Sequence, residues 1–148
     1  MKDQPQVLFS PEDRIISYIM DEFDSALKSI DIVVFLIGSK TVANALVKVR
    51  KKGVAVRMII DANVARSRYS YDEFLIKNDI EVKTIKVRGG SMHSKFILID
   101  GVKLIAGSAN LTNDANYRNH EFIFVTDDPA LIQPFSSKFE ELWSIGKS

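Results

Sequence analysis

Ile30-Asp31-Ile32-Val33-Val34-Phe35-Leu36-Ile37 and, after an intervening stretch, Val54-Ala55-Val56-Arg57-Met58-Ile59-Ile60 are the segments whose reading decides the fold. Each is nearly continuous apolar sequence rich in β-branched residues, the pattern of a strand buried on both faces. Between them Val42, Ala45, Leu46 and Val49 recur at helical spacing. Arg50-Lys51-Lys52 then place cations at the negative end of that helix, and Gly53 supplies its C-terminal cap. Two buried strands joined by a helix make a βαβ unit, which requires the strands to run parallel. The chain is therefore of the α/β class.

Working outward, Ser10-Pro11-Glu12-Asp13 has the composition of a helix start, with Ser10 as N-cap, Pro11 at the first helical position and acids in the first turn. Ile15, Ile16, Ile19, Met20, Phe23 and Leu27 then predict one apolar helix face. Beyond the βαβ unit, residues 61–70 read as a polar loop, 71–78 as a short helix and 80–87 as a strand. Residues 93–107 read as two strands joined at Asp100-Gly101, a strong hairpin dipeptide. A further strand covers 120–125. Asp128-Pro129 opens a last helix carrying Leu131, Phe135, Phe139, Leu142 and Trp143, in which Pro134 is expected to kink or delay the helix. The expectation is a single domain over residues 1–148, a mixed and largely buried β-sheet flanked by helices.

Composition narrows the function classes. At 148 residues and 46% hydrophobic, with nine Phe, the chain can form a core without covalent staples. It has no Cys, which excludes disulfides, thiolate zinc sites and thiol nucleophiles, and its two His leave little room for a histidine-rich metal cage. The longest apolar run, Ile32 to Gly38, falls far short of the roughly 18 residues of a membrane span, so no stable membrane insertion is expected. The first six residues lack the apolar region of a secretory signal, which favours a cytoplasmic location over a processed periplasmic or exported form. Twenty basic residues against 19 acidic give a net charge of +1. Contact with phosphate must then come from local clustering of charge, or from a site that handles one phosphate at a time, rather than from bulk charge.

The chemistry concentrates between His93 and Glu121. His93 and Lys95, Ser108 and Asn110, and Asn119 and Glu121 are three pairs spaced two apart, so on extended backbone each pair projects from one face. Three strand ends could thereby bring together an imidazole, a cation, a hydroxyl, a carboxamide and a carboxylate. Lys and Asn suit the non-bridging oxygens of a phosphate, since both donate hydrogen bonds and Lys neutralises charge. An imidazole suits nucleophilic attack or proton transfer near neutral pH. A carboxylate on its far nitrogen fixes the tautomer. Taken singly each residue has an ordinary reading: a lone His is a structural or surface residue, and Asp100-Gly101 is a turn. The combined spacing, His-x-Lys-x4-Asp-x6-Gly-Ser-x-Asn, runs unbroken through His93, Lys95, Asp100, Gly107, Ser108 and Asn110.

That spacing resembles the signature of the phospholipase D superfamily. The resemblance extends to the opening Phe9-Ser10-Pro11, the strand from Gly53 to Arg57, Asp61, Asn119-His120-Glu121 and the terminal Phe139 to Trp143. Among its members the chain is similar to the single-motif, Nuc-type endonucleases, and one departure is Ser94, where many relatives carry a second His. The resemblance implies a phospholipase D-like fold forming one half of a two-fold dimer, with catalysis that needs no metal. In-line displacement at phosphorus needs a nucleophile on one side and a proton donor on the other, and one imidazole cannot serve both. By resemblance, His93 of one subunit attacks to form a phosphohistidine and His93 of the other protonates the leaving oxygen. Lys95 and Asn110 hold the equatorial oxygens with Ser108 assisting, Glu121 orients His93, and Asp100 supports the motif's backbone or Lys95. His120 as the second imidazole is disfavoured by strand alternation, which turns it away from Glu121.

Substrate is less sharply encoded. Arg66, Arg68 and Tyr69 in the polar loop, and Lys103 near the motif, are candidate substrate contacts, although such a loop is as readily a solvated one. The leading expectation is a homodimeric nuclease acting on DNA or RNA. A phospholipid phosphodiesterase or phosphatidyl transferase, by analogy with cardiolipin-hydrolysing relatives, is the alternative, and a nucleic-acid-binding domain without turnover is a third.

Overall fold

The computed structural model describes residues 5–148. Strand β2 (Ser29–Val33) pairs in parallel with β3 (Ala55–Asp61), Ile30 opposite Val56 and Ile32 opposite Met58. Strand β4 (Glu81–Ile85) continues the parallel half beyond β3. On its other side β2 takes β5 (Phe96–Ile99) antiparallel. The hairpin to β6 (Lys103–Gly107), then β7 (Glu121–Thr126) and β1 (Gln6–Ser10), complete a seven-stranded mixed sheet of order β1-β7-β6-β5-β2-β3-β4. The hairpin turn closes with the Val102 N–H donating to the Ile99 carbonyl at 3.0 Å. Its two central residues, Asp100 (φ 56°) and Gly101 (φ 67°), are left-handed, which Asp and Gly tolerate best.

Both faces of the sheet are covered, which is why its central strands read as unbroken apolar runs. Helices α1 (Ile15–Ser25), α2 (Lys40–Lys51), α3 (Asp72–Lys77) and α4 (Asn113–Tyr117) cover one face, burying Ile19, Phe23, Leu46 and Leu75 with Ile32, Met58, Ile97 and Ile105. Helix α5 (Pro129–Ile145) covers the other, burying Ile132 and Phe139 with Val33, Ile59, Leu98 and Leu104. Arg57 on β3 holds α5 in place: it forks onto Asp31, directly across on β2, at 2.9 and 3.0 Å and reaches Glu140 at 2.9 Å. Its guanidinium also lies over the rings of Phe139 and Trp143 at 4.7 and 5.2 Å.

Several local expectations yield to longer-range pairing. Ser10 is not an N-cap; it ends β1, its hydroxyl donating to the Asn119 carbonyl at 2.7 Å and accepting from the Glu121 N–H at 3.0 Å. Helix α1 begins at Ile15 without a local side-chain cap. The first-turn N–H groups of Ile16 and Ser17 instead donate to the buried carboxamide oxygen of Asn116, a hundred residues away, at 3.0 and 3.3 Å. Leu27 lies beyond the helix and is 83% exposed. Strand β2 ends at Val33, and Ile37 makes only an isolated bridge to Leu111. Pro134 neither delays nor ends α5: the helix opens on Asp128 and Pro129 and runs through the exposed proline to Ile145. Strand β1 and helix α4 had no counterpart in the sequence reading.

Candidate active site

Topology brings the polar pairs to one end of the sheet. Strand β5 is antiparallel to β2, so its start meets the end of β2; β6 ends beside that start, Ala106 opposite Phe96, and β7 begins beside the end of β6. Phe35 and Leu36 (after β2), Asp61 (closing β3), His93 and Lys95 (before β5), Gly107 to Asn110 (after β6) and Glu121 (opening β7) therefore gather there. Gly107 permits the convergence: a Cβ at this position would lie 2.1 Å from the Phe122 carbonyl oxygen, and the next N–H, of Ser108, donates to that same oxygen at 3.0 Å.

His93 is exposed, with its ring against that of Phe35, centroids 5.1 Å apart. Lys95 Nζ lies 2.7 Å from His93 Nδ1 and 3.4 Å from Nε2, and donates to the His93 carbonyl at 2.7 Å. An ammonium only donates, so a ring that accepts at the shorter contact does so through the Nδ1 lone pair, and its tautomer would then carry the proton on Nε2. Burial pushes the Lys95 pKa below its ordinary value, partly offset by the Glu121 carboxylate. Glu121 is itself held by Ser108, whose hydroxyl donates to Oε1 at 2.6 Å, and by Asn119 Nδ2 at 3.4 Å from Oε2. Asn110 Oδ1 accepts from the N–H groups of Phe35 and Leu36 at 3.1 and 3.3 Å. Because both partners are donors, the oxygen must face them, and the carboxamide NH₂ is left without a partner among the described residues.

His93, Lys95, Ser108, Asn110 and Glu121 thus converge, with two departures from expectation. Glu121 makes no hydrogen bond to His93 of its own chain; it faces Lys95 and Ser108. Ser108 is committed to Glu121 and to the Phe122 N–H at 3.0 Å rather than free for a phosphate oxygen. Asp100 lies at the other end of β5 and has no place in this site. Its carboxylate accepts from the N–H groups of Leu27, Lys28 and Ser29 at 2.7–3.2 Å and so pins the entry to β2. Lys103 is at that far end too, opening β6 and paired with Glu22 at 2.9 Å, away from His93. The loop carrying Arg66, Arg68 and Tyr69 leaves β3 at the site end, and the Tyr71 N–H ties it to the Ile37 carbonyl at 2.9 Å, but Arg66 lines a cavity with Ile76, Asp79 and Glu81 at the far end of β4. Within it, Arg68 donates to the Tyr69 hydroxyl at 2.6 Å and lies over its ring. His120 is exposed beside Glu121 and makes no hydrogen bond with His93.

Sequence reasoning missed Phe35, which was counted as strand interior although its ring meets His93 and its N–H holds Asn110. It also left Asp61 without a role; a carboxylate closing an apolar strand was the available signal. Among the described residues no group of three or more His, Asp or Glu side chains is arranged to hold a metal ion.

A family model described as "Cardiolipin synthase, PLD-like domain" matches residues 19–143. The chain belongs to the phospholipase D-like family. Among curated relatives of this PLD-like chain, the mitochondrial cardiolipin hydrolase of Chlamydomonas reinhardtii is 35% identical over 132 residues, covering 89% of this chain and 59% of its own. The PLD-like chain thus spans about three-fifths of that relative's length. The crystal structure of a phospholipase D family member, Nuc from Salmonella typhimurium, superposes with a TM-score of 0.87 at 28% identity, over 97% of this chain and 96% of that one. NucT from Helicobacter pylori shares the fold at a TM-score of 0.90 and 22% identity, each chain covered to 98%.

Proposed function

We propose that this PLD-like chain is a metal-independent phosphodiesterase that hydrolyses nucleic acid, DNA or RNA, through a phosphohistidine in a site completed by a second copy of itself. One observation carries the reading: an exposed imidazole, His93, with an ammonium 2.7 Å from its ring, packs against Phe35, whose N–H holds Asn110 with its carboxamide NH₂ unused among the described residues. A phosphate oxygen entering between Lys95 and Asn110 draws the ammonium off Nδ1. The ring proton can then reside on Nδ1, which frees the Nε2 lone pair. Nε2 attacks phosphorus, the bond to the leaving oxygen breaks, and the partner's His93, as imidazolium, gives that oxygen its proton. In the second step the partner's imidazole takes a proton from water, the oxygen of that water bonds to phosphorus, and the P–N electrons return to Nε2. Lys95 and Asn110 donate to the equatorial oxygens, where negative charge builds, the role a cation or an oxyanion hole fills elsewhere.

Phospholipid is the second reading. It is favoured by the name of the matching family and of the cardiolipin hydrolase relative, and by an apolar groove that starts at Lys95 and runs over Phe96, Ala106, Pro134 and Phe135 to Lys138. Incubation with single- and double-stranded nucleic acid and with cardiolipin vesicles, all in excess EDTA, separates the two. Nucleic-acid cleavage lost in His93→Asn supports the first reading; lipid release alone supports the second. Binding of nucleic acid without turnover of any of them refutes both and leaves a nucleic-acid-binding domain.

A further inference from the structure

Asp61, the last residue of β3, has no solvent-exposed surface and pairs with no cation among the described residues. A buried carboxylate is costly unless its lone pairs are used. Here they are used entirely on backbone: Oδ1 accepts from the Met92 N–H at 2.8 Å and Oδ2 from the Asn63 N–H at 2.9 Å. Its own N–H donates to the Phe35 carbonyl at 3.4 Å, and its carbonyl accepts from Val64 and Ala65 at 3.3 and 3.2 Å. Met92 immediately precedes His93, and its side chain is anchored in the core beneath α5. Phe35 is the residue whose ring meets His93 and whose N–H holds Asn110. Its carboxylate therefore holds the backbone behind the imidazole and the first turn of the loop carrying Arg66, Arg68 and Tyr69, while its main-chain N–H meets the Phe35 carbonyl.

Resting on the phosphodiesterase reading, we propose that Asp61 is a positioning residue for His93, setting the attack geometry of the imidazole through the Met92 N–H. Its effect belongs to the chemical step, because the groups assigned to hold the phosphate, Lys95 Nζ and the Asn110 NH₂, are not bonded to it. Displacing a reacting group by about 1 Å can cost on the order of 100-fold in rate.

The test compares Asp61→Asn with Asp100→Asn, using bis(4-nitrophenyl) phosphate as a small diester. Asp100 is the matched control, a second carboxylate that clamps backbone N–H groups, but at the opposite end of the sheet. Asp61→Asn turns one carboxylate oxygen into an NH₂ that must face an N–H. We expect kcat to fall about 100-fold with KM changed by less than about twofold, and the imidazole resonances of His93 to shift in ¹⁵N NMR while those of His120 stay in place. Asp100→Asn should lower stability and leave the kcat of folded protein intact. If Asp61→Asn does not accumulate as folded protein, replacing Met92 by its α-hydroxy acid analogue deletes only the N–H and carries the same expectation. A folded Asp61 variant with kcat within about twofold of the parent overturns the proposal. So does a loss that tracks stability as in Asp100→Asn with the His93 resonances unmoved. His93→Asn separates the two levels: activity surviving in it defeats the phosphodiesterase reading, whereas an inactive His93→Asn beside a fully active Asp61→Asn defeats the positioning role alone.

Discussion

Replacing Asp100 with Ala should unfold the protein more easily and leave its chemistry alone, although Asp100 sits inside the sequence motif that carries the function. The carboxylate accepts three backbone N–H groups, from Leu27, Lys28 and Ser29. A hydrogen bond to a charged acceptor contributes roughly 1.5–3 kcal/mol. Leu27 and Lys28 are exposed, so water replaces much of what their N–H groups lose, while Ser29 is partly buried and keeps most of the penalty. A left-handed Ala costs about 1 kcal/mol more, since residue 100 has φ 56°. The expected destabilisation is about 3–4 kcal/mol, which for a chain of this length corresponds to a Tm lower by roughly 10 °C. Asp100→Asn keeps an acceptor and tolerates the turn, and should cost about 1 kcal/mol. Burial alone would raise the Asp100 pKa, but the N–H groups of Ser29, Lys28 and Leu27, with the Lys28 ammonium, hold it below the ordinary 3.8. A folded-state pKa below the unfolded one gives stability that is present above about pH 3.8 and is lost as pH falls through the depressed value. The gap in Tm between parent and variant should therefore close in that acidic window. Thermal melts across pH, with kcat normalised to folded protein, decide the matter. An Asp100→Ala protein with the parent's Tm and a kcat reduced a hundredfold or more would refute the reasoning, because the residue would then be acting in the site.

Asn116→Ala strips the buried acceptor from the first turn of α1 and should cost about 2–3 kcal/mol in urea unfolding; a loss below about 0.5 kcal/mol would mean the cap contributes nothing. Because burial lowers the Lys95 pKa against the opposing pull of Glu121, the cation should be lost, and kcat/KM should decline, as pH rises and before it reaches the ordinary 10.5; Lys95→Arg should move that alkaline limb upward, and a limb that stays put would assign it to another group. Lys103→Ala should leave cleavage within about twofold and cost about 1 kcal/mol, the upper end for a surface ion pair, since its pair with Glu22 is partly buried, whereas Arg68→Ala should weaken oligonucleotide binding and reduce its log–log salt slope by about one. The reverse pattern, measured by binding titrations at several salt concentrations, would contradict the placement of both residues.

The fold class was legible because the strands that define it are the ones buried on both faces, and burial writes itself into composition. Asp100-Gly101 marked its turn correctly, since only a few residues accept that backbone. What failed was local punctuation. Ser10-Pro11-Glu12-Asp13 carries every mark of a helix start, yet the Ser10 hydroxyl bonds groups on Asn119 and Glu121, and the cap of α1 comes from Asn116. Neither partner is visible in a window of ten residues. In the site, spacing foretold that His93 and Lys95 share a side, and that three strand ends would meet. Spacing did not tell which end of each strand a residue occupies once the hairpin turns back, and so it grouped Asp100 and Lys103 with residues at the opposite end of the sheet. Phe35 escaped, and Asp61 was named without a role, because their hydrogen bonds there involve backbone groups, which a reading of side-chain chemistry overlooks.

The central claim is a covalent bond between His93 and phosphorus, and trapping that bond tests it most directly. Acid-free quenching of the enzyme during turnover of an oligonucleotide, followed by peptide mass spectrometry, should find a phosphorus adduct on the peptide carrying His93, labile in acid, stable in base and absent from His93→Asn. An adduct on any other residue, or undiminished cleavage by His93→Asn, contradicts the account.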